Sequence, residues 1–132
     1  MKSRDTLVRL KRFQADEKRR RVTQIEMMIA EFGRMAADLE REIAAEESRT
    51  GVKDQAHYAY STYARAARAR RDNLSQSADE LKHQLEEARA ALEVANDELE
   101  KAQVLESREK GPALTDLTRD ALELSGLRGA RA

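Results

Sequence analysis

The sequence predicts an all-α protein, a long antiparallel two-helix coiled-coil hairpin, and three observations predict it. Of the 132 residues, 38% are charged and 4% aromatic, with one Pro and no Trp. This composition is typical of long helices and supplies little aromatic bulk for a globular core. Apolar residues recur at alternating steps of three and four along two stretches that nearly lack helix breakers. Basic and acidic blocks oppose each other only if the chain folds back on itself.

The stretches without helix breakers set the predicted boundaries. A hairpin domain over 1–110 is expected, with a first helix over 4–48, a loop over 49–53 and a second helix over 54–110. Gly51 suits the left-handed position after a helix, and Asp54 suits an N-cap. Gly111-Pro112 is expected to end the second helix, because Pro lacks a backbone donor and clashes with the preceding turn.

Residues 111–132 form a predicted C-terminal tail. Leu114, Leu117, Ala121 and Leu124 keep helical spacing, so a short amphipathic helix is the alternative. A tail is favoured, because chain ends fray unless they are anchored.

The apolar spacing gives each helix one buried seam. In the first helix the predicted seam is Val22, Ile25, Ile29, Phe32, Ala36, Leu39 and Ile43. In the second helix it is Tyr60, Ala64, Ala67, Arg71, Leu74, Ala78, Leu81, Leu85, Ala88, Leu92, Ala95, Leu99 and Ala102. Such spacing over several heptads is typical of a coiled coil. Nearer the N-terminus, Leu7, Leu10 and Gln14 are out of phase with Val22, and we expect a stutter there.

The charge pattern predicts the strand direction. Residues 1–21 hold nine basic and three acidic side chains, and residues 79–106 hold three basic and nine acidic ones. Nearer the loop, residues 38–49 hold five acids and two arginines, whereas residues 55–71 hold four arginines and no acid. A reversal at Gly51 sets each basic block beside an acidic one. Each exposed pair contributes little, but together the blocks favour the antiparallel register.

Several function classes are disfavoured. The 25 basic and 25 acidic residues balance, whereas nucleic-acid binders usually carry a basic excess. Cys is absent, His57 and His83 are expected to face solvent, and no Gly-rich phosphate loop follows a strand. The apolar run around Met27–Ala30 is far shorter than the roughly 20 residues of a membrane span. We expect a cytoplasmic protein that is not an enzyme and binds no metal, cofactor or nucleic acid.

Two surfaces are candidates for partner binding. Met28 and Met35 widen the apolar face, which suits an adaptable partner contact, generous core packing or a homodimer. The basic residues predicted to lie off the seam are Arg9, Arg12, Arg19 and Arg20. They suit an acidic partner or a solvated face neutralised by the second helix. We expect a monomer, with a homodimer through the two methionines as the alternative.

A third candidate lies just after the loop. Tyr60 and Tyr63 are kept as candidate partner contacts. Together with Tyr58 and the arginines at 65, 68, 70 and 71 they could also suggest RNA stacking. The end of a coiled coil is favoured, because one helix face cannot present all three rings.

The opening segment, Leu-Val-Arg-Leu-Lys-Arg-Phe-Gln-Ala-Asp-Glu-Lys over 7–18, together with the two-helix layout, resembles the flagellar export protein FliJ family. The resemblance spans roughly residues 1 to 110. It implies an antiparallel coiled coil similar to the central stalk of rotary ATPases, with the end that holds both termini entering the ATPase ring. The implied partners are the hexameric export ATPase, the export gate in the membrane and the export chaperones.

Two alternatives stay open. The nearest is a homologous coiled-coil stalk of a virulence type III secretion system. A nucleic-acid-binding helical arm belongs to a different class, and the acidic second helix disfavours it.

Overall fold

The computed structural model describes residues 2–131, and the side chains of residues 3–109. Helix α1 spans Lys2–Thr50 and helix α2 spans Thr62–Arg131. The two long helices pack against each other, which confirms the predicted all-α hairpin. Helices of this length owe their stability to such packing rather than to intrinsic propensity.

The chain divides into two compact units, each built from both helices. The terminal unit comprises Met1–Lys18 and Ala91–Ala132, and the turn unit comprises Arg19–Ala90. The loop between the helices therefore belongs to the turn unit.

Charged pairs establish the antiparallel direction in the terminal unit. Arg4 Nε lies 3.4 Å from Glu109 Oε2, and Lys11 Nζ lies 3.0 Å from Glu98 Oε2. The partner's number falls as the α1 number rises, as an antiparallel pair requires. Both ion pairs join a basic residue near the start of α1 to an acid of α2, as the charge pattern of the sequence predicts.

The turn unit repeats this direction. Glu26 Oε2 lies 3.4 Å from Arg89 Nη2, and Glu47 Oε2 lies 2.9 Å from Arg68 Nη2. Here the acids are on α1 and the arginines on α2, the reverse of the terminal unit. The predicted pairing of the loop-proximal blocks is confirmed.

The predicted α2 seam is confirmed along its length. Each of its members, from Tyr60 to Ala102, is buried or half-buried. The most enclosed are Tyr60, Ala64, Ala67, Ala78, Leu81, Leu85, Ala95 and Ala102. In α1 the predicted seam from Val22 to Ile43 is likewise buried or half-buried.

The predicted N-terminal stutter is wrong. Val8 and Ala15 are 5% and 1% exposed, whereas Leu10 is 49% exposed. The steps from Val8 through 11, 15 and 18 to Val22 keep the 3-4 spacing without a phase shift. Lysines at 11 and 18 hid this spacing, since a Lys stem can cover a seam while its ammonium group reaches solvent or an acid.

The loop is longer than predicted, because the second helix begins at Thr62 rather than near Asp54. Asp54 Oδ1 accepts from the Ala56 N–H at 2.9 Å, so Asp54 forms a local turn instead of an N-cap. Ser61 takes the capping role: its Oγ accepts from the Ala64 N–H at 3.2 Å. Gly51 follows α1 with φ 76°, as predicted for the residue after a helix.

The C-terminal boundary also differs from the prediction. Helix α2 continues through Gly111-Pro112 to Arg131 instead of ending near residue 110. Proline removes one donor, but its fixed φ is compatible with helical backbone, so a helix can pass through it. The side chains of residues 110–132, including the predicted amphipathic leucines, lie outside those described.

Candidate partner-binding surfaces

A polar cluster joins the two helices beside the loop. Tyr60 Oη donates to Glu47 Oε2 at 2.8 Å. Arg68 donates from Nε to Tyr60 Oη at 2.7 Å and from Nη2 to Glu47 Oε2 at 2.9 Å. Glu47 and Arg68 side chains are only 12% and 22% exposed. The three groups form a closed triangle, which we name the turn clamp.

The turn clamp perturbs its carboxylate. Hydrogen bonds from Arg68 and then Tyr60 lower the pKa of Glu47 below 4.5, because they stabilise the charged form. The carboxylate raises the pKa of Arg68 in return. A second acid, Glu46, accepts from Arg49 and from Ser61, and these bonds lower its pKa as well. The sequence predicts that the acidic block before the loop lies beside the basic block after it. It carries no pattern that identifies the turn clamp itself.

Tyr60 is therefore not a surface residue. Its side chain is 5% exposed, which contradicts the prediction that it contacts a partner. The cause is its seam position, where the ring is enclosed and the hydroxyl is held by the turn clamp. Tyr63 is 56% exposed, and its hydroxyl donates to Glu42 at 3.0 Å. This bond raises the pKa of Tyr63.

The loop tip presents one aromatic side chain to solvent. Tyr58 is 96% exposed, and its ring stacks on His57 with centroids 4.6 Å apart. His57 is anchored on both sides, because its N–H donates to Asp54 O and its Nδ1 accepts from the Ala59 N–H. An exposed aromatic on an ordered loop suits a protein contact, since little conformational entropy is lost on binding.

Three of the four arginines that follow the loop, at 65, 68 and 71, make contacts within the protein. Arg65 donates to Gln55 O at 3.0 Å and lies 5.4 Å from the centroid of the Tyr60 ring. Arg71 lies 3.4 Å from Glu40 and 2.9 Å from Asp72. Arg68 belongs to the turn clamp. The preference for a coiled-coil end over RNA stacking in this segment stays a prediction.

The two methionines are placed differently from each other. Met28 is 42% exposed and Met35 is half-buried. Both flank the seam of the turn unit, as predicted. Their role in partner binding stays a prediction.

The N-terminal arginines lie off the seam, as predicted. Arg9, Arg12, Arg19 and Arg20 are all exposed. Arg9 is 79% exposed at its side chain and lies 3.4 Å from Asp5 within its own helix. Their binding to an acidic partner stays a prediction.

Sequence reasoning missed an apolar surface on the terminal unit. Among the side chains that the structure describes in this unit, the large apolar ones that are exposed are Leu10, Phe13, Val94, Val104 and Leu105. Val94 lines a groove of about 500 Å³ with Ala91 and Ala95, and Leu105 lines another of about 600 Å³. Val94 and Leu105 share one face of α2 outside the seam, and 3-4 spacing counted from that face could have found them.

Among the described residues, no group of three or more His, Cys, Asp or Glu side chains is arranged to hold a metal ion. Within the same part of the chain, no helix combines the length and apolarity of a membrane span.

Comparison with protein-family models, with curated proteins and with solved structures finds no match to this chain.

Proposed function

We propose that this chain is a non-enzymatic coiled-coil stalk or adaptor of a flagellar type III export apparatus. Its partners would be the export ATPase ring, the membrane-embedded export gate and the export chaperones. The observation that carries the proposal is the antiparallel pairing of two long helices along a heptad seam. That is the architecture which the resemblance of the opening segment to the FliJ family implies.

Charge and exposure support a role in protein contacts. The seam is used within the hairpin, so binding partners must use the outward faces of the helices or the loop tip. Exposed arginines of α1 in the terminal unit, such as Arg9 and Arg12, suit an acidic partner. The stacked Tyr58 at the loop tip suits an apolar one.

The two ends would serve different partners. By analogy with a rotary ATPase stalk, the terminal unit would enter the ATPase ring, and its basic α1 segment would meet the ring. The loop tip of the turn unit would be available to the gate.

Co-purification with a hexameric export ATPase tests this proposal. We expect the chain to bind the hexamer and to raise its rate of ATP hydrolysis. The double variant Arg9→Glu/Arg12→Glu should weaken both effects, because it reverses two exposed charges on the end assigned to the ring.

Arg34→Glu/Arg41→Glu is the matched control. These arginines are exposed on the same helix and pair with Glu31 and Asp38 one turn away. The control should retain binding and stimulation. Absence of binding and of stimulation by the unaltered chain would contradict the proposal.

A further inference from the structure

One stripe of α2, exposed except at the half-buried Ala91, has the same residue spacing whether it is read towards the N-terminus or towards the C-terminus. We name it the α2 stripe; its members, at steps of three, four, three, four and three, are Ala91, Val94, Glu98, Lys101, Leu105 and Arg108. Such steps place side chains on one helix face. The centre lies between Glu98 and Lys101, with Val94 and Leu105 placed symmetrically about it.

This symmetry makes the stripe complementary to itself. If a second copy packs against it in the antiparallel direction, a two-fold axis passes through the centre. Val94 of each copy then meets Leu105 of the other, and Glu98 meets Lys101. Apolar groups therefore face apolar groups and opposite charges face each other, at both ends of the contact.

The exposure of these side chains leaves them available. Val94 and Leu105 are 58% and 39% exposed, so both apolar side chains are accessible to a second copy. Glu98 pairs with Lys11 through Oε2 alone and stays 46% exposed at its side chain. Within the described part of the chain, no acid lies within ion-pair distance of Lys101.

The grooves of the terminal unit match this arrangement. One groove, of about 500 Å³, is lined by Ala91, Val94 and Ala95 together with Gln14, Glu17, Lys18 and Glu98. The other, of about 600 Å³, is lined by Lys101, Leu105 and Arg108 of the stripe together with Asp97, Glu100 and Val104. In the two-fold arrangement, Leu105 of one copy enters the part of the first groove that Ala91, Val94 and Ala95 form on the other. The stripe thus offers both a protruding group and its receptor.

We propose that the α2 stripe is a homodimer interface, formed by antiparallel packing of the stripe on its counterpart in a second copy. The dimer is held by the contact of Val94 with Leu105 and by the ion pair of Glu98 with Lys101, each made twice. This interface differs from a dimer through Met28 and Met35, which lie in the turn unit.

Light scattering and sedimentation of three samples test the interface. The unaltered chain should approach twice the 15.0 kDa monomer mass as its concentration rises. In a dimer of Lys101→Glu, the new carboxylate of each copy faces Glu98 of the other. In a dimer of Glu98→Lys, the new ammonium group of each copy faces Lys101 of the other. Each variant alone should dimerise roughly tenfold more weakly or worse. An equimolar mixture of the two variants should regain dimers, because each then meets an opposite charge.

Two control variants distinguish dimerisation through the α2 stripe from dimerisation through another surface and from a general effect of charge reversal. Lys82→Glu is the same exchange at an exposed α2 position in the turn unit and should leave dimerisation unchanged. Met28→Glu should also leave it unchanged, because Met28 lies outside the stripe. Circular dichroism of every variant should retain the helix content of the unaltered chain.

Three outcomes would contradict the proposed interface. The unaltered chain could stay monomeric at all concentrations, Lys101→Glu could dimerise as tightly as the unaltered chain, or the equimolar mixture of Lys101→Glu and Glu98→Lys could stay monomeric. Loss of the dimer on Met28→Glu with retention on Lys101→Glu would assign dimerisation to the methionine face instead.

Discussion

At the residue scale, the turn clamp is the contact most sensitive to pH. Glu47 accepts from both Tyr60 and Arg68, so its charged form is stabilised only in the folded chain. The folded pKa of Glu47 is lowered below the ordinary 4.5. Its contribution to stability is therefore present above pH 4.5 and lost as the pH falls through the lower folded value.

Glu47→Gln should lower the melting temperature at neutral pH, because an amide binds Arg68 less strongly than a carboxylate does. The difference between variant and unaltered chain should shrink as the pH falls from 4.5 through the lower folded pKa of Glu47, below which Glu47 is neutral in the folded chain as well. Thermal melts by circular dichroism over this range measure both effects. Glu31→Gln, which alters an exposed pair with Arg34, should have little effect. A constant difference at every pH would contradict the role given to the Glu47 charge.

At the element scale, two glycines with equally open surroundings have opposite effects on the stability of α1. A Cβ added at Gly33 or at Gly51 would meet no atom within 4 Å. Gly33 lies inside α1, where glycine costs backbone entropy. Gly51 ends α1 with φ 76°, a conformation that other residues adopt with strain.

The same substitution should therefore have opposite effects at these sites. Gly33→Ala should raise the free energy of unfolding by about 0.5–1 kcal/mol, because alanine favours helix. Gly51→Ala should lower it by about 1 kcal/mol, because alanine strains the left-handed backbone. Urea denaturation compares the two variants directly. Stabilisation by Gly51→Ala would show that the loop does not need the left-handed turn.

At the scale of the whole molecule, the antiparallel pairing is the feature on which the functional proposals depend. Phe13 and Val94 are both exposed and both lie in the terminal unit, one on each helix. They suit spin labels, because labels there leave the seam intact.

Labels at Phe13 and Val94 in one chain should lie within about 30 Å of each other, given helix axes about 10 Å apart and the reach of two label tethers. Unlabelled chain is mixed in excess so that only distances within one molecule are measured. A distance on the order of 100 Å, as expected for one unbroken helix at ~1.5 Å per residue, would exclude the hairpin.

The sequence by itself determined the fold class, the chain reversal near Gly51 and the α2 seam from Ala64 to Ala102. Those features follow from local spacing and from blocks of charge, which are readable without knowing which residues touch. The N-terminal seam was missed, because lysines at 11 and 18 occupy seam positions, and the half-burial of Lys11 depends on Glu98 of the facing helix.

Only the tertiary structure decided the start of α2, the turn clamp and the α2 stripe. Asp54 is the N-cap that the sequence predicts, but the cap is Ser61, whose Oγ also donates to Glu46 of the facing helix. Tyr60 likewise could have been a surface ring or a seam residue. Each choice depends on atoms that lie far apart in the chain and meet only when the two helices pair.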